Sequence, residues 1–425
     1  MSFYSPFTDK NGNFISIDKV KYSNLPQLFY ADEGYKLEYK ETWNSNVEKK
    51  IPDIITSFAN SEGGWIIIGI VDNSKEIRPI PKIRADYSQK ISQLIKPKVS
   101  PTPGYETKFL NNPKNKSEGV LLIYVYEGIF TPYISNGTVY IRNGSSKDPQ
   151  PAGRASIEFL FSKAKTTQKD TEKFCHREIF YPINDEEKGI KYPICNIFLK
   201  NLSTQNDNKL SSYSERKIIS EKILDGTGIF TNMQYSMNSM IFYHSYKANL
   251  GITVIWELFF DYSSKFYLPL SYFEPTEKAK ALTEIFNLCD NTLFLGDKDI
   301  NIIDGTIWIA FIDVILEKYN EILKSHNIKY ENLVLCLEVE NALNSVLYFD
   351  SNKYKDRIKT NGLNYVNKVN NKSNLIYLKD SNMRTYTDIK KYIAFDLFSQ
   401  TFGYEPNILY DIWLQSISNK RDKYS

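Results

Sequence analysis

A chain of 425 residues is longer than a single hydrophobic core usually grows, so two domains are expected. Hydrophobic residues at 42%, charged residues at 24%, and 31 Tyr with 25 Phe exclude a disordered chain, which is poor in aromatics. The formal net charge of +3 names no partner by itself, but residues 1–165 hold 22 Lys and Arg against 17 Asp and Glu, a balance of +5 that leaves −2 for the rest. The first part is mildly basic, so any nucleic-acid contact, which needs cations against phosphates, is better sought there.

In chain order, the N-terminus "MSFYSPFTDKNGNF" lacks the basic and apolar regions of a signal peptide, and no apolar run approaches the roughly 20 residues that span a bilayer. A cytoplasmic protein with no membrane partner is expected. "KLEYKE" reads as a short strand. "VEKKIPDIITSFAN" reads as a helix, with Ile51, Ile54, Ile55 and Phe58 at the spacing of one buried face, Pro52 in its first turn and Gly63-Gly64 as its stop. "WIIIGIV" is apolar on both faces, as in a central strand, and "VDNSKE" makes the turn after it. "ADYSQKISQLIK" is a second helix ended by Pro97; "GVLLIYVYEG" and "TVYIRNG" are further strands; "GRASIEFLFSKAKTTQKDTEKF" is a helix leading out of the domain.

From about residue 170 the pattern changes. "YPICNIFLKNL", "MIFYHSYKA" and "TVIWELFFDYSSKFYLPL" read as strands, and "PTEKAKALTEIFNL", "TIWIAFIDVILEKYNEILKSH" and "DIKKYIAFDLFSQTFG" as helices, with "NYVNKVNNKSN" as an exposed loop. The expected fold class is α+β, as a mixed sheet with helices over residues 1–168 and a second α+β domain over 169–425. Cys175, Cys195, Cys289 and Cys336 form no CxxC pair, so neither a disulfide framework nor a zinc cluster is indicated.

The chemistry concentrates around "LEYK". Glu38 and Lys40 are two apart and share one strand face, with Leu37 and Tyr39 on the other. Glu33 converges with Glu38 only if the chain turns between them, which Gly34 permits. Asp72, at the mouth of the apolar strand, is a third candidate. Three converging carboxylates suit a hard cation such as Mg²⁺ or Mn²⁺, which polarises a phosphate and activates water, with Lys40 offsetting the developing charge. Without the ion such carboxylates repel one another, so a raised pKa and a stabilising Glu38→Gln are expected. The same spacing also fits a solvated strand edge. Arg142 and Ser145, in a small-residue turn, together with Lys49, Lys50 and Lys147, are candidate phosphate contacts.

"LEYKE", "SFANSEGGW", "IIIGIVDN" and "PYISNGTVYIRNGSS", in this order, resemble the Schlafen AlbA-like domain. That family carries an (L/V)E(F/Y)K element, an AFANTxGG element, an apolar "IGV" strand with an acidic residue, and a Y-x-R-x-G-S segment. The matches fall at Leu37 to Lys40, Phe58 to Gly64, Ile68 to Asp72 and Tyr140 to Ser145, and the resemblance covers roughly residues 20–165. It implies a divalent-metal-dependent endoribonuclease cutting tRNA or similar structured RNA, possible in bacterial defence or stress. Glu33 and Glu38 reproduce the family's E-x4-E pair, and Asp72 its later aspartate. The animal proteins join two lobes where one is visible here, which implies a homodimer. The rival reading is a non-catalytic DNA- or RNA-binding regulator. An ATP-binding regulator lacks support, because no GxxxxGK[ST] occurs.

Overall fold

The computed structural model describes residues 4–83, 86–144, 148–176, 193–203, 210, 212–246, 252–270, 275–289, 300–326, 328–381, 383 and 385–424. They form two compact units that divide between Asp170 and Thr171. Both are α+β.

In the first unit, β1 (Leu37–Lys40) pairs in parallel with β2 (Gly64–Ile68), and β2 pairs antiparallel with β6 (Glu118–Val125). β3 (Ile80–Pro81) and β5 (Tyr105–Asn111) also lie on β6, completing a five-stranded mixed sheet with β1 at its edge. β2 is central and wholly buried, as its two-faced apolarity predicts. Ile66 and Ile68 face α1 (Ser45–Asn60) and α2 (Tyr87–Ile95); Trp65 and Ile67 face a second core containing Phe7, Val20 and Leu28. Two short ribbons, β4 (Val99–Ser100) with β7 (Ile134–Ser135) and β8 (Tyr140–Ile141) with β9 (Gln150–Pro151), stand apart from this sheet. The expected "TVYIRNG" strand is thus reduced to two residues. The helix α3 (Arg154–Phe174) matches its expected span.

α1 starts earlier than its apolar spacing suggests, because the Asn44 side chain accepts from Asn46 N–H and Val47 N–H, each at 3.0 Å. Pro52 consequently lies in the helix interior and not in the first turn. At the other end the helix stops at Asn60, before the two glycines. Gly63 has φ +73° and donates to Phe58 O at 2.9 Å, while a Cβ there would meet Val125 O at 2.6 Å. Gly64 is already strand. A Cβ on it would lie 2.4 Å from the Phe58 ring.

The second unit is built on an eight-stranded antiparallel sheet ordered β11 (Asn232–Tyr235), β12 (Ser239–Tyr246), β13 (Ile252–Phe259), β14 (Ser264–Pro269), β10 (Ile194–Asn201), β16 (Leu333–Glu340), then β18 (Asn371–Lys372), with β19 (Ile376–Tyr377) also on β16. "TVIWELFFDYSSKFYLPL" is a hairpin of two strands turning at Tyr262, φ +63°. β15 (Asn301–Asp304) and β17 (Ser345–Tyr348) form a separate parallel pair. Around them stand α4 (Tyr213–Thr227), α5 (Pro275–Leu288), α6 (Gly305–Ser325), α7 (Asn352–Asn361), α8 (Tyr386–Lys391), α9 (Leu397–Phe402) and α10 (Pro406–Tyr424). α6 supplies Trp308, Ile312, Ile315 and Tyr319 to the main core. The single helix expected over "DIKKYIAFDLFSQTFG" is instead α8 and α9 joined through a π-helical turn at Tyr392–Asp396.

Two of the cysteines, dispersed in sequence, come together: Cys175 and Cys336 share a buried cluster with Phe198. A hydrogen bond between the two thiols, with Lys372 nearby, draws the Cys336 thiol below its ordinary value and pushes that of Cys175 above it. Among the described residues no helix is long and apolar enough to cross a membrane.

Gly64→Ala is expected to destabilise the protein by about 2 kcal/mol, since its methyl group overlaps the fully buried Phe58 ring and the Lys36 carbonyl. Thermal melting checks this; an unchanged midpoint would show that Phe58 can move aside.

Candidate functional site

β1 lies at the open edge of its sheet, and its alternation decides where its charges go. Leu37 and Tyr39 enter the core, and Glu38 and Lys40 take the opposite face. That face is not solvent at Glu38, which is 1% exposed. A carboxylate at such depth requires compensating charge. It has two partners: Lys40 Nζ on Oε1, and Arg142 Nη2 on Oε2 at 2.6 Å.

Arg142 is fixed from several sides. Its guanidinium lies 4.3 Å from the centroid of the Phe58 ring and donates to Gly34 O at 3.2 Å. Its backbone N–H donates to Ser61 Oγ at 2.9 Å. One residue earlier, the Asn60 amide donates to Tyr133 O at 2.8 Å and Tyr140 O at 2.9 Å, and accepts from Tyr133 N–H at 2.7 Å. The "SFANSEGG" stretch therefore acts as a clamp. Phe58, Asn60 and Ser61 hold the "YIR" segment so that Arg142 reaches Glu38.

Between Glu33 and Glu38 the chain does turn, with Gly34 N–H donating to Leu37 O at 2.9 Å. Gly34 takes no positive φ there, so the turn does not depend on glycine's freedom. Glu33 is folded back onto the strand and accepts from Tyr39 N–H at 3.0 Å. Partial burial raises its pKa above the usual carboxylate value; the charges of Glu38 and Asp72, and a direct contact with Asp72, add to the rise. The three acidic residues do come together.

Asp72 follows β2 in a tight turn in which Lys75 N–H donates to Val71 O at 2.8 Å. Lys75 has φ +55°, a strained value for lysine, and its ammonium reaches Asp72 Oδ1 at 3.2 Å and stands 4.3 Å from the Tyr39 ring centroid. Sequence reasoning passes over Lys75. Its signal is only its place three residues after Asp72 in "VDNSKE".

The expected site residues thus fare differently. Glu33, Glu38, Lys40 and Asp72 are brought together. Lys49 and Lys50 are exposed on α1. Arg142, expected at a phosphate, is 3% exposed and turned inwards onto Glu38, because a buried carboxylate needs it more than solvent does. Ser145 and Lys147 lie outside the described residues. Among the described residues no three His, Cys, Asp or Glu side chains are arranged to hold a metal ion as they stand. Both Glu38 oxygens are committed to cations; Glu33 and Asp72, hard oxygen donors in mutual contact, are the pair that fits Mg²⁺ or Mn²⁺.

With this geometry in place, residues 33–151 match the family model described as Schlafen, AlbA_2. The first unit therefore contains the stretch that matches a Schlafen AlbA_2 domain, a likeness that suggests a function related to nucleic acids. Residues beyond 151, including the whole second unit, lie outside the match. Comparison with curated proteins returns no match. Among solved structures, the crystal structure of the DIP2311 protein from Corynebacterium diphtheriae is similar at 20% identity over 31% of this chain and 27% of that one, with a TM-score of 0.24. The chain thus spans about a quarter of that protein's length, and so slight a likeness bears on neither fold nor function.

Two outcomes follow from the charges. Glu38→Gln leaves Arg142 buried beside a neutral amide, so it is expected to destabilise by about 3 kcal/mol, the reverse of the stabilisation that carboxylate repulsion alone predicts. Denaturant unfolding decides between the two signs. Glu33 behaves oppositely. Its folded-state pKa is raised, so its contribution is most favourable below the ordinary glutamate pKa and is lost as pH rises through the folded value. Glu33→Gln should therefore melt above wild type at neutral pH, with the gap closing near about pH 4; a gap that is constant with pH would show that Glu33 is not under strain.

Proposed function

We propose that the first unit is a divalent-metal-dependent endoribonuclease module acting on tRNA or similarly structured RNA. The observation that carries this reading is the meeting of Glu33 and Asp72, with Glu38 close enough to raise the Glu33 pKa, on a rigid sheet edge. Like-charged hard oxygens held together at the expense of stability are what a hard cation relieves. Glu33 and Asp72 would hold it. A bound cation there supplies Lewis acidity toward a phosphate oxygen and lowers the pKa of water.

The chain's own groups do the rest. Lys40, part-exposed beside Glu38, meets a phosphate oxygen and offsets its growing negative charge. Lys75 orients Asp72, and Arg142 orients Glu38, so that neither carboxylate must reorganise when substrate arrives. Exposed Lys49 and Lys50 add phosphate attraction.

A second reading has its own support. With both Glu38 oxygens held by cations, the acidic group also suits a non-catalytic nucleic-acid-binding domain that uses these charges only for folding. Purified protein incubated with total tRNA in Mn²⁺ or in EDTA, with fragment ends sequenced, separates the two. Defined fragments are expected in Mn²⁺. They should disappear in EDTA and in Glu33→Ala and Asp72→Asn, while filter binding of tRNA changes little. Cleavage that survives EDTA overturns the metal mechanism, and tight binding without fragments leaves the binding module.

A further inference from the structure

The segment before the matched domain builds a second feature. Residues 4–32 contribute a cleft of about 590 Å³, walled by Tyr4, Phe14 and Tyr30, with Asp32 at its rim. Tyr30 is 89% exposed, its neighbour Phe29 67% and Phe14 47%. Isolated aromatics on a surface need no explanation, but a contiguous group beside a cleft does.

The walls are firmly mounted. Trp65 Nε1–H, from the buried strand β2, donates to Tyr4 O at 2.9 Å. Thr8 N–H donates to Gln27 Oε1 at 2.9 Å, and Gln27 Nε2 donates back to Thr8 O at 3.1 Å, tying the first loop to the 3₁₀ helix Tyr22–Tyr30. Tyr4 and Phe14 meet edge to face with centroids 5.9 Å apart, as do Phe29 and Tyr30 at 5.3 Å. Open aromatic faces therefore stand on a rigid base.

The cleft neighbours the acidic site through Asp32, one of its lining residues. Asp32, on its rim, directly precedes Glu33. Ala31, on its wall, takes the Tyr39 hydroxyl through its carbonyl at 2.8 Å. Lys75 joins the two, 3.9 Å from Asp32 and 3.2 Å from Asp72.

We propose that this cleft receives one unpaired nucleobase of the nucleic acid bound by the first unit, stacked against Tyr30 and Phe14, so that the adjoining phosphate reaches the acidic site. The proposal rests on the nucleic-acid reading above and adds a substrate class to it, single-stranded or flipped-out nucleotides. The chemistry fits. Any base offers a π-face to an aromatic ring, and the volume lies within the range of small-ligand sites. Asp32, an acceptor, suits a base edge carrying an amino group and disfavours one without. Paired bases offer no free face, which sets the discrimination.

The test uses the full chain and two probes, a 12-nucleotide RNA carrying 2-aminopurine and the same strand annealed to its complement. Single-strand affinity should fall about tenfold in the Tyr30→Ala, Phe14→Ala double variant, the loss expected for one base-on-aromatic stack, while duplex affinity stays unchanged. The probe's fluorescence, quenched on wild type by stacking, should recover on the variant. Tyr30→Phe, which keeps the ring, should bind as wild type. Equal losses on both probes, or none on either, overturn the cleft as a base site and leave the nucleic-acid reading standing. Wild type that binds neither probe overturns both. A variant that instead shifts a dimer to monomer, with RNA affinity intact, assigns the aromatic patch to a second copy of the chain.

Discussion

The ion pair between Arg142 and Glu38 is the constraint on which the rest of the first unit turns. Both side chains are buried, 0% and 1% exposed, at the edge of a sheet where an unpaired carboxylate would be forced to protonate or to drag water inward. Satisfying it requires the chain to return from far along the sequence, since Arg142 lies 104 residues after Glu38. The ribbons β4–β7 and β8–β9 and the clamp made by Asn60 and Ser61 all serve that return. A buried ion pair is weak as a source of stability but strong as a demand on geometry. The same guanidinium nitrogen also donates to Gly34 O at 3.2 Å, tying the turn before β1 to the ion pair.

Packing at the end of α1 obeys the same demand. Phe58 carries the Arg142 guanidinium on its ring and leaves no room for a Cβ at Gly64, so ring, glycine and arginine form one stack. Gly63 lets the backbone pass against Val125 in β6. The small and amide residues between Phe58 and Gly64 therefore read as hardware that ties helix, central strand and arginine together. The charged groups of the acidic site lie on either side, Glu33 and Lys40 before the helix and Asp72 after the strand.

Local chemistry made the backbone of this unit legible. The alternation of "LEYK", the apolar face of α1 and the two-faced apolarity of "WIIIG" each follow from burial, and they place Glu38, Lys40 and Asp72 where they are found. Less legible is which cation a carboxylate meets, because pairing is decided by distant segments. Arg142 looks like a surface phosphate ligand in "YIRNGSS" and is a buried counterion. Lys75 looks like a turn residue and is held between Asp72 and the Tyr39 ring. The same limit hid Cys175 and Cys336, and it hid β16, whose place beside β10 in the second unit depends on partners that only the folded sheet supplies.

The charge balance of the acidic site bears directly on its suitability for a polyanion. Three carboxyls, Glu33, Glu38 and Asp72, are matched by Lys40, Lys75 and Arg142, and Glu33 is pushed toward its neutral form by its surroundings. Bare carboxylates at this density would repel a phosphate backbone at contact range. Here Glu38 is neutralised from within by a buried guanidinium, which faces no solvent and so competes for no phosphate. Lys40 remains part-exposed on the same strand face as Glu38. Arg142 and Lys40 share the Glu38 carboxylate, the first wholly buried and the second with part of its side chain in solvent, where a ligand can reach it. This division of labour explains how a site rich in carboxylates sits within a unit of net positive charge without forbidding the nucleic acid that its domain family implies.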